Sequence, residues 1–266
     1  MELLCPICGD TLYIAARACR CGGGHCFDVA RQGYVNLLAV QQKHSLNPGD
    51  TRDQVASRRE FLSAGFYQPI ADALRAAARE FGAKGPILDV GCGEGYYSAR
   101  LAASMNAELT GIDISKEAVR RAAGTYKSAL WLCATGAKLP VADQQAGLVT
   151  SLFALTVPGE FHRCLKENGL FFQVLAAEDH LLGLKRIIYP ELKFKEKDTV
   201  PTVPGFRLER SIPIRFTFTV EGAQIRNLLS MTPHVYRISR EGAARLEDIR
   251  ILTDTASCVL NVYRKE

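Results

Sequence analysis

Residues 87–95 read Ile87-Leu88-Asp89-Val90-Gly91-Cys92-Gly93-Glu94-Gly95, an apolar run that passes without a break into a glycine-rich turn. A strand that ends in such a turn and then opens a helix brings bare backbone to a ligand, which constrains the architecture around it. The rest of the chain keeps to that plan. Short apolar runs at 87–90, 109–112, 130–133, 148–152 and 170–175 alternate with helical periodicity at 97–103, 116–126 and 160–165. This repetition predicts an α/β fold with a parallel, doubly wound sheet, whose ligands sit beyond the carboxyl ends of the strands. Helices at 54–64 and 67–81 precede the sheet, the second with Ile70, Ala73, Leu74, Ala77, Ala78 and Phe81 on one side. After residue 184 the pattern becomes β-rich at 210–220 and 255–263 around a helical stretch at 221–230, as for a terminal antiparallel strand pair.

The turn also discriminates between ligands. Where a dinucleotide-binding turn packs a glycine or alanine between helix and strand, this chain has Tyr96, and its third glycine, Gly95, comes one residue early. Asp89 and Glu94 bring carboxylates to the loop. They are poor company for a pyrophosphate at a helix N-terminus and suit a cation. S-adenosylmethionine carries a sulfonium and an ammonium group and no phosphate, and Asp113, ending the next strand, can accept hydrogen bonds from its ribose hydroxyls. Gly91, Gly93, Glu94, Gly95 and Asp113 are therefore candidate cofactor-binding residues. The plainer alternative, ordinary turn glycines and a helix-capping Asp, does not explain their order along strand, loop, helix and strand.

Five of the nine cysteines fall within residues 5 to 26, a local cluster rather than a distributed disulfide framework. Cys5-Pro6-Ile7-Cys8 is a knuckle answered by Cys19, Cys21, His25 and Cys26, more ligands than a tetrahedral zinc can use. Cys21 and His25 are spaced by three glycines that let both reach one ion, whereas Cys19 and Cys21 are a single residue apart. Cys5, Cys8, Cys21 and His25 are the preferred set, with Cys26 an alternative to His25 and Cys19 an alternative to Cys21. Four protein ligands leave no open position, so this zinc is structural, and a short Cys- and Gly-rich module would not fold without it.

With 266 residues, 47% of them hydrophobic, the chain holds one full α/β domain plus a small accessory module. The polar, Pro-Gly stretch 43–52 marks a boundary, giving a zinc module at 1–42, a linker and lead-in helix at 43–66 and a cofactor-binding domain at 67–266. No apolar stretch is long enough to span a membrane, and the start of the chain lacks the pattern of a signal peptide; the expected compartment is cytoplasmic. Residues 1–184 balance 18 basic against 18 acidic side chains, whereas 185–266 carry 15 against 10, so the net +5 lies in the last third. Such a region can meet a polyanion or simply be a solvated surface.

These features resemble those of the bacterial 23S ribosomal RNA (guanine-N1)-methyltransferases. The similarity runs through the zinc knuckles with Gly33-Tyr34-Val35-Asn36-Leu37-Leu38, Pro48-Gly49-Asp50, Arg58-Arg59, Phe66-Tyr67-Gln68-Pro69, the glycine loop, Asp179-His180-Leu181 with Leu184-Lys185, and Met231-Thr232-Pro233. The resemblance implies a class I methyltransferase sheet behind a zinc-binding module, with S-adenosylmethionine and Zn²⁺ as cofactors and 23S ribosomal RNA as partner. It allows a homodimer and implies no membrane association. It assigns cofactor contacts to Tyr67, Gly93, Glu94 and His180 and zinc to Cys5, Cys8, Cys21 and His25. Without it, Tyr67 reads as a core aromatic at a helix start and His180 as a satisfied loop histidine. The implied acceptor is a guanine of a domain II hairpin, and Met231-Thr232-Pro233 favours the 745 over the 748 position.

N1 lies on the Watson–Crick edge, so the target guanine must be unpaired or turned out of its stack. No general base is assigned: the first carboxylate after the fourth strand is Glu160, which can equally start a helix. One departure from the family bears on the acceptor side, Leu155 in Phe153-Ala154-Leu155 where relatives carry proline. Two other readings remain open. A small-molecule methyltransferase would leave the zinc module unused, and a zinc-ribbon RNA-binding protein without activity would make Leu155 its mark of loss.

Overall fold

The computed structural model describes residues 1–15, 17–38, 48–192 and 196–266; the expected boundary at 42/43 lies outside them. The amino-terminal module is an antiparallel sheet of β1 (Leu3–Leu4), β2 (Thr11–Ala15), β3 (Ala18–Cys21) and β4 (Cys26–Asp28) in sequential order. The chain then contributes β5 (Val35–Asn36), which leaves this module and pairs in parallel with the edge of the large sheet.

The remaining elements are α1 (Arg52–Ser63), α2 (Gln68–Glu80), β6 (Ile87–Val90), α3 (Tyr96–Met105), β7 (Leu109–Asp113), α4 (Lys116–Thr125), β8 (Leu130–Cys133) and β9 (Ala146–Leu152). They continue through α5 (Pro158–Cys164), β10 (Leu165–Ala176), α6 (Leu182–Ile188), β11 (Phe206–Glu221), α7 (Ala223–Ser230), a 3-10 turn (Pro233–Tyr236), α8 (Arg240–Glu247) and β12 (Ile251–Lys265). The large sheet runs β11-β12-β10-β9-β6-β7-β8-β5. Its pairs are parallel from β5 to β10 and antiparallel for β10 with β12 and β12 with β11. The expected terminal antiparallel pair is present, with longer strands than periodicity marked, because the alternation on β11 is diluted by Arg207, Glu209, Arg210 and Ser211.

Chain order reverses between β6 and β9, so the carboxyl ends of these strands open a crevice. Local chemistry positions the helices around it. Thr51 and Gln54 form a reciprocal capping box at the start of α1, Pro69 sits in the first turn of α2, and the Ser115 hydroxyl caps α4. Gly95, at φ +84°, starts α3 in the left-handed region. A Cβ there would meet the Trp131 ring at 2.5 Å, and one on Gly111 would meet it at 2.3 Å, so two glycines make room for one buried indole.

The zinc module is not a free appendage. Leu3, Cys5, Leu12, Cys19 and Cys21 share one apolar cluster with Val35, Leu37, Leu88, Val90 and Ile112 of the large sheet. Backbone bonds from Leu4 N to Pro140 O (3.1 Å), Ala142 N to Glu2 O (3.1 Å) and Leu37 N to Cys133 O (2.8 Å) fasten the seam. No helix among the described residues is long and apolar enough to cross a membrane.

Candidate functional site

A cleft of about 1000 Å³ opens at the carboxyl ends of β6, β7 and β9. The glycine loop forms its floor: Gly91 N and Cys92 N both donate to Ile112 O (2.8 and 3.1 Å), and Gly95 N to Cys92 O (3.0 Å). Gly91 has φ +79°, and a Cβ on it would lie 2.4 Å from that of Ala154, so the cofactor loop and the turn after β9 touch here.

Three carboxylates surround this floor, Asp89 and Glu94 buried and Asp113 half-buried. Asp89 accepts from the Thr150 hydroxyl (2.6 Å), and burial pushes its pKa up to about 6. Asp113 accepts from Gly93 N and Ser115 N, 2.8 Å each, so it braces the loop while keeping lone pairs for a ligand; burial raises its pKa too. Glu94 is 3% exposed, and burial pushes it up to about 7 against the pull of Arg59, whose guanidinium is 3.8 Å away. Its Oε1 has no hydrogen-bond partner. A buried carboxylate oxygen left open beside a cleft is suited to a positively charged ligand, the charge type of S-adenosylmethionine.

The opposite wall brings together residues far apart in sequence. Tyr67, buried at the start of α2, places its hydroxyl 3.4 Å from His180 Nε2. His180 Nδ1 sits against the backbone of Ser257, and burial reinforced by Lys185 pushes the imidazole down to about 4, so the ring is neutral at physiological pH. Asp254 holds this segment by accepting from Gly183 N (2.9 Å) and Leu184 N (2.7 Å) at the start of α6. Arg58 ties three segments to the cleft: it pairs with Asp50, donates to Met231 O (3.1 Å) and lines the cavity.

At the mouth, Phe153 (φ +56°) and Leu155 are 41% and 71% exposed. The Ser151 hydroxyl donates to Leu155 O (3.1 Å), which holds the turn in place without a proline. Glu160 is occupied elsewhere. It accepts from Leu139 N (2.6 Å) and pairs with Arg163, and although burial raises its pKa these partners bring it below the usual carboxylate range. It is therefore a structural group and not a base facing the cleft. Sequence reasoning missed Lys197, Asp198, His234 and Arg237, which also line the cavity. His234 and Arg237 follow directly on Met231-Thr232-Pro233, the one signal that could have found them.

In the amino-terminal module the ligand atoms of Cys5, Cys8, Cys21 and His25 all lie within 4.8 Å of one another. Cys5 Sγ is 3.6 Å from His25 Nδ1, Cys8 Sγ 3.6 Å from Cys21 Sγ, and Cys21 Sγ 3.4 Å from His25 Nδ1. Tetrahedral zinc, with bonds of about 2.3 Å to sulfur and about 2.0 Å to nitrogen, sets ligand–ligand edges of about 3.5–3.8 Å. The cluster has the size such a site requires. Cys19 is instead buried on β3 opposite Ile14, and Cys26 is exposed opposite Arg20.

This sheet order, with a glycine loop and buried carboxylates at the point of reversal, defines a class I S-adenosylmethionine-dependent methyltransferase, here carrying a zinc ribbon. The zinc-ribbon family described as "RlmA, N-terminal" matches residues 3–46, and "Methyltransferase domain" matches 87–169. The 23S rRNA (guanine(748)-N(1))-methyltransferase of Streptomyces fradiae is 34% identical over 91% of this chain and 89% of its own length. A Micromonospora griseorubida protein assigned as a 23S rRNA (guanine-N1)-methyltransferase is 37% identical over 69% of this chain and 68% of its own. Among solved structures, one from Anaeromyxobacter dehalogenans assigned as a type II methyltransferase superimposes with a TM-score of 0.52 at 17% identity, covering 71% of this chain and 95% of that one, which shows the shared fold. The chain belongs to the family of 23S rRNA (guanine-N1)-methyltransferases, and its cofactors are S-adenosylmethionine and zinc.

Proposed function

We infer that this enzyme methylates N1 of a guanine in the domain II hairpin of 23S ribosomal RNA, in the compartment that holds that RNA, the cytoplasm. The reading is carried by similarity that extends over both the zinc ribbon and the methyltransferase sheet to a relative named for guanine N1. A small-molecule enzyme would need the sheet alone.

Tyr67, Gly91, Gly93, Glu94, Gly95, Asp113 and His180 would hold the cofactor, and Cys5, Cys8, Cys21 and His25 a closed, structural zinc. The cofactor supplies a methyl group made electrophilic by its sulfonium. The chain contributes position and charge. Glu94 and Asp113 offer negative charge at the loop, the Tyr67–His180 pair closes the opposite wall, and Phe153 and Leu155 border the entrance for an unpaired base. Residues 1–42 serve as an RNA-recognition module, 43–66 as linker and lead-in helix and 67–266 as the methyltransferase domain.

Two positions of the hairpin compete. The Met231-Thr232-Pro233 motif, which lines the cavity, supports the 745 position through its resemblance to that subgroup; the relative named for guanine 748 favours the second reading. Incubation with methyl-labelled cofactor and either protein-free 23S rRNA or a metabolite extract tests the activity. Label in RNA, with primer extension arrested at one hairpin guanine, is the expected outcome and identifies the position. Label in a small molecule, or in neither, overturns the reading.

A further inference from the structure

Between α1, α4 and the loop at Gln32 lies a second cavity, of about 420 Å³. Four guanidinium groups line it, Arg52 and Arg59 from α1 and Arg120 and Arg121 from α4. Gathering four like charges on two packed helices is unfavourable unless counter-charge is supplied. Little is supplied internally. Glu117 pairs with Arg120 (2.6 Å), and Glu94 reaches Arg59 only at 3.8 Å from the cofactor-loop side. Arg52 and Arg121 are exposed and have no ion pair or side-chain hydrogen bond among the described residues. Guanidinium forks of this kind match the oxygens of a phosphate.

The location narrows the source of that phosphate. On one rim Lys127 Nζ donates to Gln32 O (3.2 Å), fastening a loop of the amino-terminal module to the end of α4. On the other, Arg58, next to Arg59 on α1, lines the cofactor cleft. The cavity is several times larger than one phosphate and its charges are spread over two helices, a layout for a chain of phosphodiesters and not for a single focused anion. We propose that this arginine crevice holds the RNA backbone between the zinc ribbon and the cofactor cleft, and so sets the reach from the recognised part of the RNA to the methylated base. The proposal rests on the reading of RNA as the substrate.

The test is binding of a labelled 23S rRNA domain II transcript to the full chain from about 50 to about 200 mM salt. It compares the wild type with Arg52→Gln/Arg121→Gln and with Lys84→Gln/Lys166→Gln, a control pair of exposed lysines at the amino ends of β6 and β10. Each lost phosphate contact lowers the slope of log affinity against log salt by about 0.7–0.9, so the arginine pair is expected to lose about 1.5 while the lysine pair keeps the wild-type slope. Cofactor affinity should not change and the melting temperature should hold or rise in the arginine pair, since like-charge repulsion is relieved, which separates a lost contact from a lost fold. An unchanged slope in the arginine pair, or an equal loss in the lysine pair, overturns the proposal. So does tight binding of inorganic pyrophosphate that is lost in the arginine pair while the RNA slope stays at the wild-type value, since it would reassign the crevice to a free polyphosphate. If the wild type neither binds nor methylates RNA, the substrate reading itself fails, an outcome distinct from the others.

Discussion

Glu94 is a carboxylate placed where burial works against its charge. Its pKa of about 7 in the free protein, raised chiefly by burial, means that protonation stabilises the fold. That contribution is complete below the ordinary glutamate range and is lost as the pH rises through 7. A cationic ligand has the opposite preference and binds the ionised form. Cofactor affinity is therefore expected to climb between about pH 6 and pH 7, by at most tenfold per unit, and to level off above. Glu94→Gln should flatten that part of the profile and weaken binding on the alkaline side; calorimetric titration across the pH range checks it, and a slope surviving in the variant would place the titrating group elsewhere. Among site residues, those on the glycine loop were legible because a turn and its carboxylates are contiguous in sequence. Tyr67 and His180 were not, being joined only by the fold across 113 positions; neither residue type signals a role by itself.

At the scale of elements, apolar periodicity found the strands from β6 to β10 because each contains a short, mostly apolar run buried on both faces. It could not find β5, two residues long, or α6, whose start depends on Asp254 from β12. The packing of β7 on β8 was hidden for a related reason. Gly111 looks like any strand glycine until the Trp131 ring is seen 2.3 Å from where its Cβ would be. Trp131 is 1% exposed and its Nε1 donates to Tyr126 O (2.9 Å), so the ring has little room to move. Gly111→Ala should therefore cost about 1–3 kcal/mol, the range for overpacked cores. Trp131 is the single tryptophan of the chain, so its emission follows both the local disturbance and the unfolding midpoint in denaturant.

At the scale of the whole molecule, the zinc ribbon and the methyltransferase sheet share one apolar cluster on one face of the sheet, whereas the wall around Tyr67 packs with a second cluster on the other. The sequence signals a metal module followed by a linker; it does not signal that Leu3, Leu12, Val35 and Leu37 complete the sheet's core. This division predicts an uneven response to metal removal. Without zinc the four-ligand cluster has no counter-charge for its thiolates, the small sheet β1–β4 loses its organising centre, and β5 loses its lead-in. The cofactor cleft, built from the ends of β6, β7 and β9 and braced by α1 and α2, retains its own hydrogen bonds. Cys8→Ser, or prolonged chelation, is accordingly expected to release zinc, lower the melting temperature and leave cofactor affinity nearly unchanged. Methylation of protein-free 23S rRNA should fall by about tenfold or more, the consequence of losing one or two good RNA contacts. Metal content, cofactor titration and methyl transfer measured on the same preparation decide the matter. Equal losses of cofactor binding and of methyl transfer would mean that the ribbon supports the whole sheet, and full RNA activity in the zinc-free chain would remove the ribbon from recognition.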